Sequence, residues 1–111
     1  MGLEFGTGSD GRPMYPSAKG VELTLPASGT ALEAPADGWF YLSLKPQEAG
    51  SRVCLMNKGT YKHMKFSQFS SAAKQLISIY VPCKKGDEVA PLYTSSTNSD
   101  FVEWFCFIYA D

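Results

Sequence analysis

Apolar and polar positions alternate with a period of two along most of the chain, and this alternation predicts short β-strands. Residues 61–69 alternate weakly and are rich in Lys and Ser, which leaves an edge strand or an irregular loop as alternatives. Turn residues separate the strands at spacings of about ten residues, a pattern typical of an antiparallel β-sandwich. The sequence predicts an all-β fold of about seven or eight short strands, with a jelly-roll-like arrangement as the more specific expectation. The clear strands are predicted at residues 21–25, 39–45, 52–56, 75–81, 89–93 and 101–110, with a short return strand around Leu32.

Within these strands, the alternation also assigns faces. In residues 39–45 it places Phe40, Leu42 and Leu44 on the core side. Gly, Pro and Asp mark the turns between strands. Asp37 and Gly38 form a pair that is expected to supply the positive φ of a tight turn, and residues 84–87 are a second turn signal. Pro82 is expected to end the strand that precedes it.

The last predicted strand, residues 101–110, is apolar on both faces. A sandwich sheet normally shows one face to water, so such a strand either is central and covered by loops or lies in a subunit interface. A chain of 111 residues has little material to cover a second sheet face, which favours the interface. The interface candidates are Phe101, Glu103, Phe105, Phe107 and Tyr109; the opposite face carries Val102, Trp104, Cys106, Ile108 and Ala110.

Composition and charge limit the possible partners. With 44% hydrophobic and 19% charged residues, the chain has the material for one core and a solvated surface. A formal net charge of -1 provides no field to attract nucleic acid or an anionic membrane. No apolar run approaches the roughly 20 residues of a membrane helix. Neither nucleic acid nor membrane insertion is predicted.

The N-terminal stretch lacks the basic start and apolar run of a secretory signal. Its dipeptides are those that common cloning sites encode, so residues 1–14 are interpreted as a flexible leader or cloning linker and residues 15–111 as the sandwich domain; a native connector is the alternative. Cys54, Cys83 and Cys106 lack metal spacing, so no metal site is predicted. Their strand-like surroundings predict buried thiols, although one disulfide remains an alternative.

Catalytic chemistry has little support in the sequence. His63 is the only histidine and lies among lysines, without a carboxylate or cysteine at metal spacing. The serines near it lack the strand-turn-helix elbow of a nucleophile, and the carboxylates are scattered over separate loops. A small cupin-type enzyme would need a histidine cluster, which a chain with one His supplies only if subunits share the site. The sequence predicts no enzyme and no cofactor.

Two features are candidates for ligand binding. Residues 58–65 hold a small basic patch that suits an anionic glycan, and its alternative role is a charged edge that blocks strand aggregation. Exposed aromatic rings are the other sugar-binding device. Trp39 and Trp104 are assigned to packing inside the domain or between subunits. The candidate ligand-binding residues are therefore Tyr61, Lys62, His63, Lys65 and Tyr93.

Three segments carry a family resemblance: Tyr-Pro-Ser-Ala-Lys-Gly-Val at residues 15–21, Ala-Pro-Ala-Asp-Gly-Trp at 34–39 and Val-Pro-Cys-Lys-Lys-Gly-Asp at 81–87. Together with the aromatic last strand, they resemble the small head domains at the ends of tailed-bacteriophage fibres and in related prophage proteins. The resemblance implies a homotrimeric, jelly-roll-like head, made in the bacterial cytoplasm and carried on the virion. Such a head attaches the virion to its host by contacting a cell-surface glycan or protein.

The chain departs from this family pattern between residues 61 and 71, where Lys62, His63 and Lys65 cluster. A monomeric carbohydrate-binding or lectin-like β-sandwich is the alternative interpretation. It would share the strands and the aromatic residues but would need no trimer.

Overall fold

The computed structural model describes residues 15–46, 52–59, 65–69, 74–93 and 102–111. In these ranges the chain is all-β, as predicted, and it contains no helix and hence none that is long and apolar enough to cross a membrane. The strands are β1 (Pro16–Glu22), β2 (Leu32–Glu33), β3 (Gly38–Leu44), β4 (Arg52–Asn57), β5 (Lys65–Phe69), β6 (Ile77–Cys83), β7 (Glu88–Tyr93) and β8 (Val102–Ala110).

The strands form two antiparallel sheets of four strands each, as expected for a β-sandwich. The front sheet has the order β1-β8-β3-β6, and the back sheet has the order β2-β7-β4-β5. Strand β3 lies in the middle of the front sheet and pairs with β6 and β8 along its whole length. The finer expectation of a jelly roll stays a prediction.

The core lies between the sheets and is built by the alternation that the sequence shows. Phe40, Leu42 and Leu44 point from β3 into this core, as predicted. Phe105 and Phe107 of β8 join them, and the Phe107 ring meets Phe40 edge-on with 5.1 Å between the centroids. The other buried core members are Leu25, Ala34, Val53, Leu55, Ile77, Ile79, Val81, Cys83 and Val89.

Two predicted strand boundaries are wrong. The first strand was expected at residues 21–25, but β1 begins at Pro16 and ends at Glu22. Only Leu25, beyond the strand, is fully buried in the core, whereas Val21 is 42% exposed. β1 pairs with β8 with a register shift between Pro16 and Gly20, so a simple period of two does not describe it.

Proline does not end β6, which continues through Pro82 to Cys83. β6 is the last strand of the front sheet, and an edge strand tolerates proline because the missing N–H can point away from its neighbour. At the far edge of the back sheet, β5 resolves the ambiguity of residues 61–69 in favour of an edge strand over its last five residues.

Gly38 has a different role from the predicted one. Among the described glycines, only Gly29 and Gly86 have a positive φ, at 89° each. Gly38 instead begins β3 where β8 passes very close. A Cβ at this position would overlap the carbonyl oxygen of Ile108 and lie 2.8 Å from the ring of Phe107. A glycine is needed at this position because a side chain would have no room beside β8, and not because the chain turns here.

The second predicted turn, at residues 84–87, is confirmed. The backbone N–H of Asp87 donates to the Lys84 carbonyl over 2.9 Å, and Gly86 has the left-handed conformation. The Asp87 carboxylate in turn accepts from the Lys84 backbone N–H at 2.9 Å and from the side-chain amide of the buried Asn57 at 3.2 Å. The three cysteines are buried and form no disulfide, as predicted.

Candidate functional site

The outer face of the front sheet, which points away from the back sheet, carries an exposed tryptophan. Trp104 of β8 lies opposite Ser43 of β3 and is 49% exposed. Leu76, just before β6, is 53% exposed and lines the same part of this face. The residues of this region are called the Trp104 surface below: Glu22, Tyr41, Ser43, Lys45, Leu76, Glu103 and Trp104.

A β-bulge in β8 adds a charged residue to this surface. Ser43 pairs with Trp104, but the next residue of β3, Leu44, pairs with Val102, so Glu103 is the extra residue. Because of this shift, Val102 packs against the core and Glu103 is exposed beside Trp104, which points outward by its regular alternation with the core residue Phe105. Bulges commonly re-aim side chains in this way.

Two neighbouring clefts flank Trp104. The first has a volume of about 500 Å³ and is lined by the Trp104 surface. The second has a volume of about 560 Å³ and runs along β1. Glu22 and Trp104 line both clefts, so the indole stands between them. The remaining lining residues of the second cleft are Ser17, Ala18, Lys19, Gly20, Val21, Cys106 and Ile108.

Tyr41 supports the exposed indole. Its ring meets the Trp104 ring in a T-shaped contact, with 5.8 Å between the centroids and 68° between the planes. Such pairs contribute about 0.5–1.5 kcal/mol beyond the area they bury. The contact therefore helps to hold Trp104 in one position while almost half of the side chain stays accessible.

Polar groups surround the two rings. The Ser43 and Ser78 hydroxyls lie 3.1 Å apart across the strands. Lys45 Nζ lies 3.3 Å from Glu103 Oε1, and both of these side chains are about half exposed. With Glu22, the first cleft has two carboxylates and one ammonium group, so its formal charge is slightly negative.

The two predicted ligand-binding residues that the structure describes, Lys65 and Tyr93, do not line this surface. Tyr61, Lys62 and His63 lie outside the described residues. Lys65 begins β5 at the edge of the back sheet. Tyr93 was expected to offer a free ring, but its hydroxyl donates to the Pro26 carbonyl at 2.6 Å and its side chain packs against the core.

The predicted interface residues are divided between different environments. Phe105 and Phe107 are buried in the core of their own chain, so they have no surface left for a partner, and this part of the prediction is wrong. Tyr109 packs edge-on against Phe107, with Lys19 Nζ 4.9 Å from its ring centre. Glu103 lies on the Trp104 surface, and Phe101 lies outside the described residues.

Strand β8 has the central position that the sequence analysis gave as the alternative to a subunit interface. It is central, between β1 and β3, and its outer-face residue Cys106 is also buried. Sequence reasoning considered Trp104 as a sugar-binding ring but assigned it to packing. The available signal was the alternation, which places Trp104 on the face opposite Phe105 and Phe107. The degree of its exposure depends on its neighbours on β1 and β3, which the alternation does not report.

Two of the buried thiols have raised pKa values. Burial, and then the negative charges of Asp87 and Asp37, raise the pKa of the Cys83 thiol far above its ordinary range. Burial and the charge of Glu22 also raise the pKa of Cys106. Both thiols are therefore protonated, and poor nucleophiles, at neutral pH. The described part of the chain holds no group of three or more His, Cys, Asp or Glu side chains placed to bind a metal ion.

The site thus consists of one supported, half-exposed indole between two clefts with a mixed polar rim. Such a combination of an aromatic platform and convergent polar groups suits the binding of an amphipathic ligand. Comparisons with known protein families, with curated proteins and with solved structures found no match to this chain.

Proposed function

We propose that this chain is a non-enzymatic attachment domain, a head of the kind found on tailed-bacteriophage fibres, which assembles as a homotrimer and contacts a glycan or protein on a host cell. The observation that carries the proposal is the Trp104 surface. It combines an exposed indole, two clefts and a rim of polar and charged groups of both signs, and this combination suits ligand recognition.

The strand pairing supports the jelly-roll part of the proposal. In the front sheet β1 pairs with β8 and β3 with β6; in the back sheet β2 pairs with β7 and β4 with β5. The first strand thus pairs with the last, the second with the next to last, and so on inward. A long antiparallel ribbon that is folded over itself into two sheets produces this pairing, which is how a jelly roll is built.

The edge strand β1 supports self-association. Tyr15, just before this strand, is 58% exposed, and Val21 within it is 42% exposed. An edge strand with exposed apolar side chains is a template for contacts with another chain. In a trimer with a three-fold axis, neighbouring copies would cover these side chains. The second cleft, which runs along β1, would then lie near a subunit boundary.

The first test is the mass in solution, measured by light scattering on a size-exclusion column across a roughly tenfold dilution. We expect three times the 12.1 kDa mass of the chain. Val21→Lys should lower the mass, because it places a charge in the proposed contact. Leu76→Lys is the matched control, a similarly exposed apolar residue outside β1, and should keep the trimer. A monomer at every concentration would contradict the trimeric head.

The second test is attachment. The fluorescently labelled domain is mixed with a panel of bacterial strains, and bound fluorescence is measured after washing. We expect saturable binding to particular strains, which unlabelled domain displaces. Binding that is equal on all strains, or that unlabelled domain fails to displace, would count against recognition of a host receptor.

A monomeric carbohydrate-binding module is the second candidate function. The T-shaped pair of Tyr41 and Trp104 with its polar rim favours it, because an exposed ring beside hydroxyl and carboxylate groups suits a sugar. A monomer that binds soluble oligosaccharide but attaches to no cells would establish this function in place of the fibre head.

A further inference from the structure

We propose that the two clefts flanking Trp104 form one binding site for a neutral oligosaccharide, with a pyranose ring stacked on the Trp104 indole. The inference rests on the proposed attachment function and names the chemistry of the ligand. It assigns recognition to the front sheet and not to the basic segment that the sequence suggested.

The indole provides the stacking surface. A pyranose ring has a face of C–H groups, and this face packs on an aromatic ring while the hydroxyls stay free to form hydrogen bonds. Trp104 is 49% exposed and is supported by the T-shaped contact with Tyr41. The ring is thus already oriented before a ligand arrives, which lowers the entropy lost on binding.

The size of the clefts indicates more than one sugar ring. Each cleft, at about 500 and 560 Å³, is within the range of small-molecule sites. Trp104 and Glu22 line both. A ring stacked on the indole therefore has an open cleft on either side, into which a linked neighbour can extend.

The polar groups match sugar hydroxyls. Carboxylates at Glu22 and Glu103 accept hydrogen bonds, and the ammonium group of Lys45 donates them. The Lys45–Glu103 pair is half exposed and so is reachable by a ligand in the first cleft. Hydrogen bonds from neutral hydroxyls to charged partners are stronger than those between neutral groups.

The charge of the site excludes polyanions. The first cleft has two carboxylates and one ammonium group, which leaves one negative charge in excess. Lys19 in the second cleft balances this charge and adds no positive excess. A sulfate or phosphate group would find no surplus of positive charge here, and it would be repelled by Glu22 and Glu103. We therefore infer a neutral ligand, in contrast to the anionic glycan that the basic segment at residues 58–65 would suit.

The two tryptophans of the chain give the experiment an internal reference. Trp39 is 0% exposed, whereas Trp104 is accessible to a soluble quencher such as iodide. The whole chain is titrated with neutral di- and trisaccharides of glucose, galactose, mannose and N-acetylglucosamine, and with sulfated forms of the same sugars. Concentrations reach about 20 mM, enough to nearly saturate a site with a Kd of ~1 mM.

We expect at least one neutral oligosaccharide to protect Trp104 from iodide and to bind about tenfold or more tightly than its sulfated form. Trp104→Ala should weaken the binding about tenfold or more, as followed by isothermal titration calorimetry, and Trp104→Tyr should restore most of it. Lys85→Ala is the control, an exposed residue of the turn at residues 84–87 that lines neither cleft, and should bind as the unchanged chain does.

Three results would overturn the inference: no protection of Trp104 by any neutral sugar, tighter binding of the sulfated forms, or full binding by Trp104→Ala. The failure of this site is distinguishable from the failure of the proposed function. If Trp104→Ala still forms trimers and still attaches to cells, only the neutral-sugar site is wrong. If the unchanged chain binds a neutral sugar but neither forms trimers nor attaches to cells, the site stands and the fibre-head function fails.

Discussion

Trp39 and Trp104 lie on the same outer face of the front sheet, at its two ends, and have opposite environments. Trp39 is 0% exposed, and Trp104 is 49% exposed. The β3 partner of Trp104 is Ser43, four residues beyond Trp39, which corresponds to roughly 13 Å along the strand. The amino acid and the face are the same, so the neighbours of each indole make the difference.

At the Trp39 end, the neighbouring Gly38 lets β8 approach closely, and the cross-strand partners Ile108 and Pro82 flank the indole. At the Trp104 end, the neighbour on β3 is the small Ser43, strand β1 has already ended at Glu22, and the bulge turns Glu103 outward beside the indole. One end of the face, the closed end, therefore has a buried indole, and the other, the open end, has an exposed one.

The largest expected effect comes from removing each indole in turn. Trp39→Ala should lower the free energy of unfolding by about 3–5 kcal/mol, because it leaves a large cavity. Trp104→Ala should lower it by only about 1 kcal/mol, mainly through the lost contact with Tyr41. Urea unfolding followed by circular dichroism measures both values. Equal costs for the two variants would show that the ends of the face do not differ in the way described.

A second expected effect tests the close approach at the Trp39 end. Gly38→Ala should destabilise the fold by about 1–3 kcal/mol or more, since the added methyl group overlaps the Ile108 carbonyl and strands β3 and β8 must separate. Gly20→Ala is the matched control on the other side of β8, where a Cβ would be 3.3 Å from the Phe107 carbonyl oxygen. Thermal unfolding should show the larger drop in Tm for Gly38→Ala; a larger drop for the control would contradict the account.

The contrast between the two ends also explains what the sequence could predict. The core face of β3 was predictable because Phe40, Leu42 and Leu44 alternate regularly and the strand pairs without interruption until its end. The role of Gly38 was not predictable, because it depends on a backbone that is about 70 residues away in the sequence. Local patterns report which side of a strand is apolar but not which distant strand passes beside it.

The candidate site was harder to predict for the same reason. The alternation in β8 gave two apolar faces, and the prediction placed the wrong one at a surface: Phe105 and Phe107 are core, while the opposite face exposes Trp104. The exposure of Trp104 depends on its small neighbour Ser43 on β3 and on the end of β1 at Glu22, and both are long-range pairings that the local pattern does not report. The same holds for Tyr93 at the end of β7, whose hydroxyl donates to the Pro26 carbonyl 67 residues away in the sequence.

A third expected effect concerns pH at the closed end, where Cys83 pairs with Gly38. Burial, and then Asp87 and Asp37, raise the pKa of this thiol above its ordinary value of 9.0. Below about pH 9 the thiol is protonated in both the folded and the unfolded chain. Above it the unfolded chain loses the proton and the folded chain keeps it, so stability should fall by about 1 kcal/mol per pH unit.

The measurement compares urea unfolding of the unchanged chain and of Cys83→Ala between pH 7 and about pH 10. The variant should be less stable at neutral pH but should lose less stability as the pH rises. The pKa of Cys106 is also raised, so some slope should remain in the variant. Parallel pH profiles for the two proteins would exclude Cys83 as the source of the decline.

The smallest expected effect lies at the open end, in the ion pair of Lys45 and Glu103. Both side chains are about half exposed, so water and salt screen their attraction, and Glu103→Gln should change the free energy of unfolding by less than about 1 kcal/mol. The same is expected of Lys45→Met, and the double variant should show little coupling between the two. If urea unfolding instead shows a large cost that persists in high salt, the pair is structural and the open end resembles the closed one. A small cost leaves both charges available to a ligand, because the fold does not depend on their mutual contact.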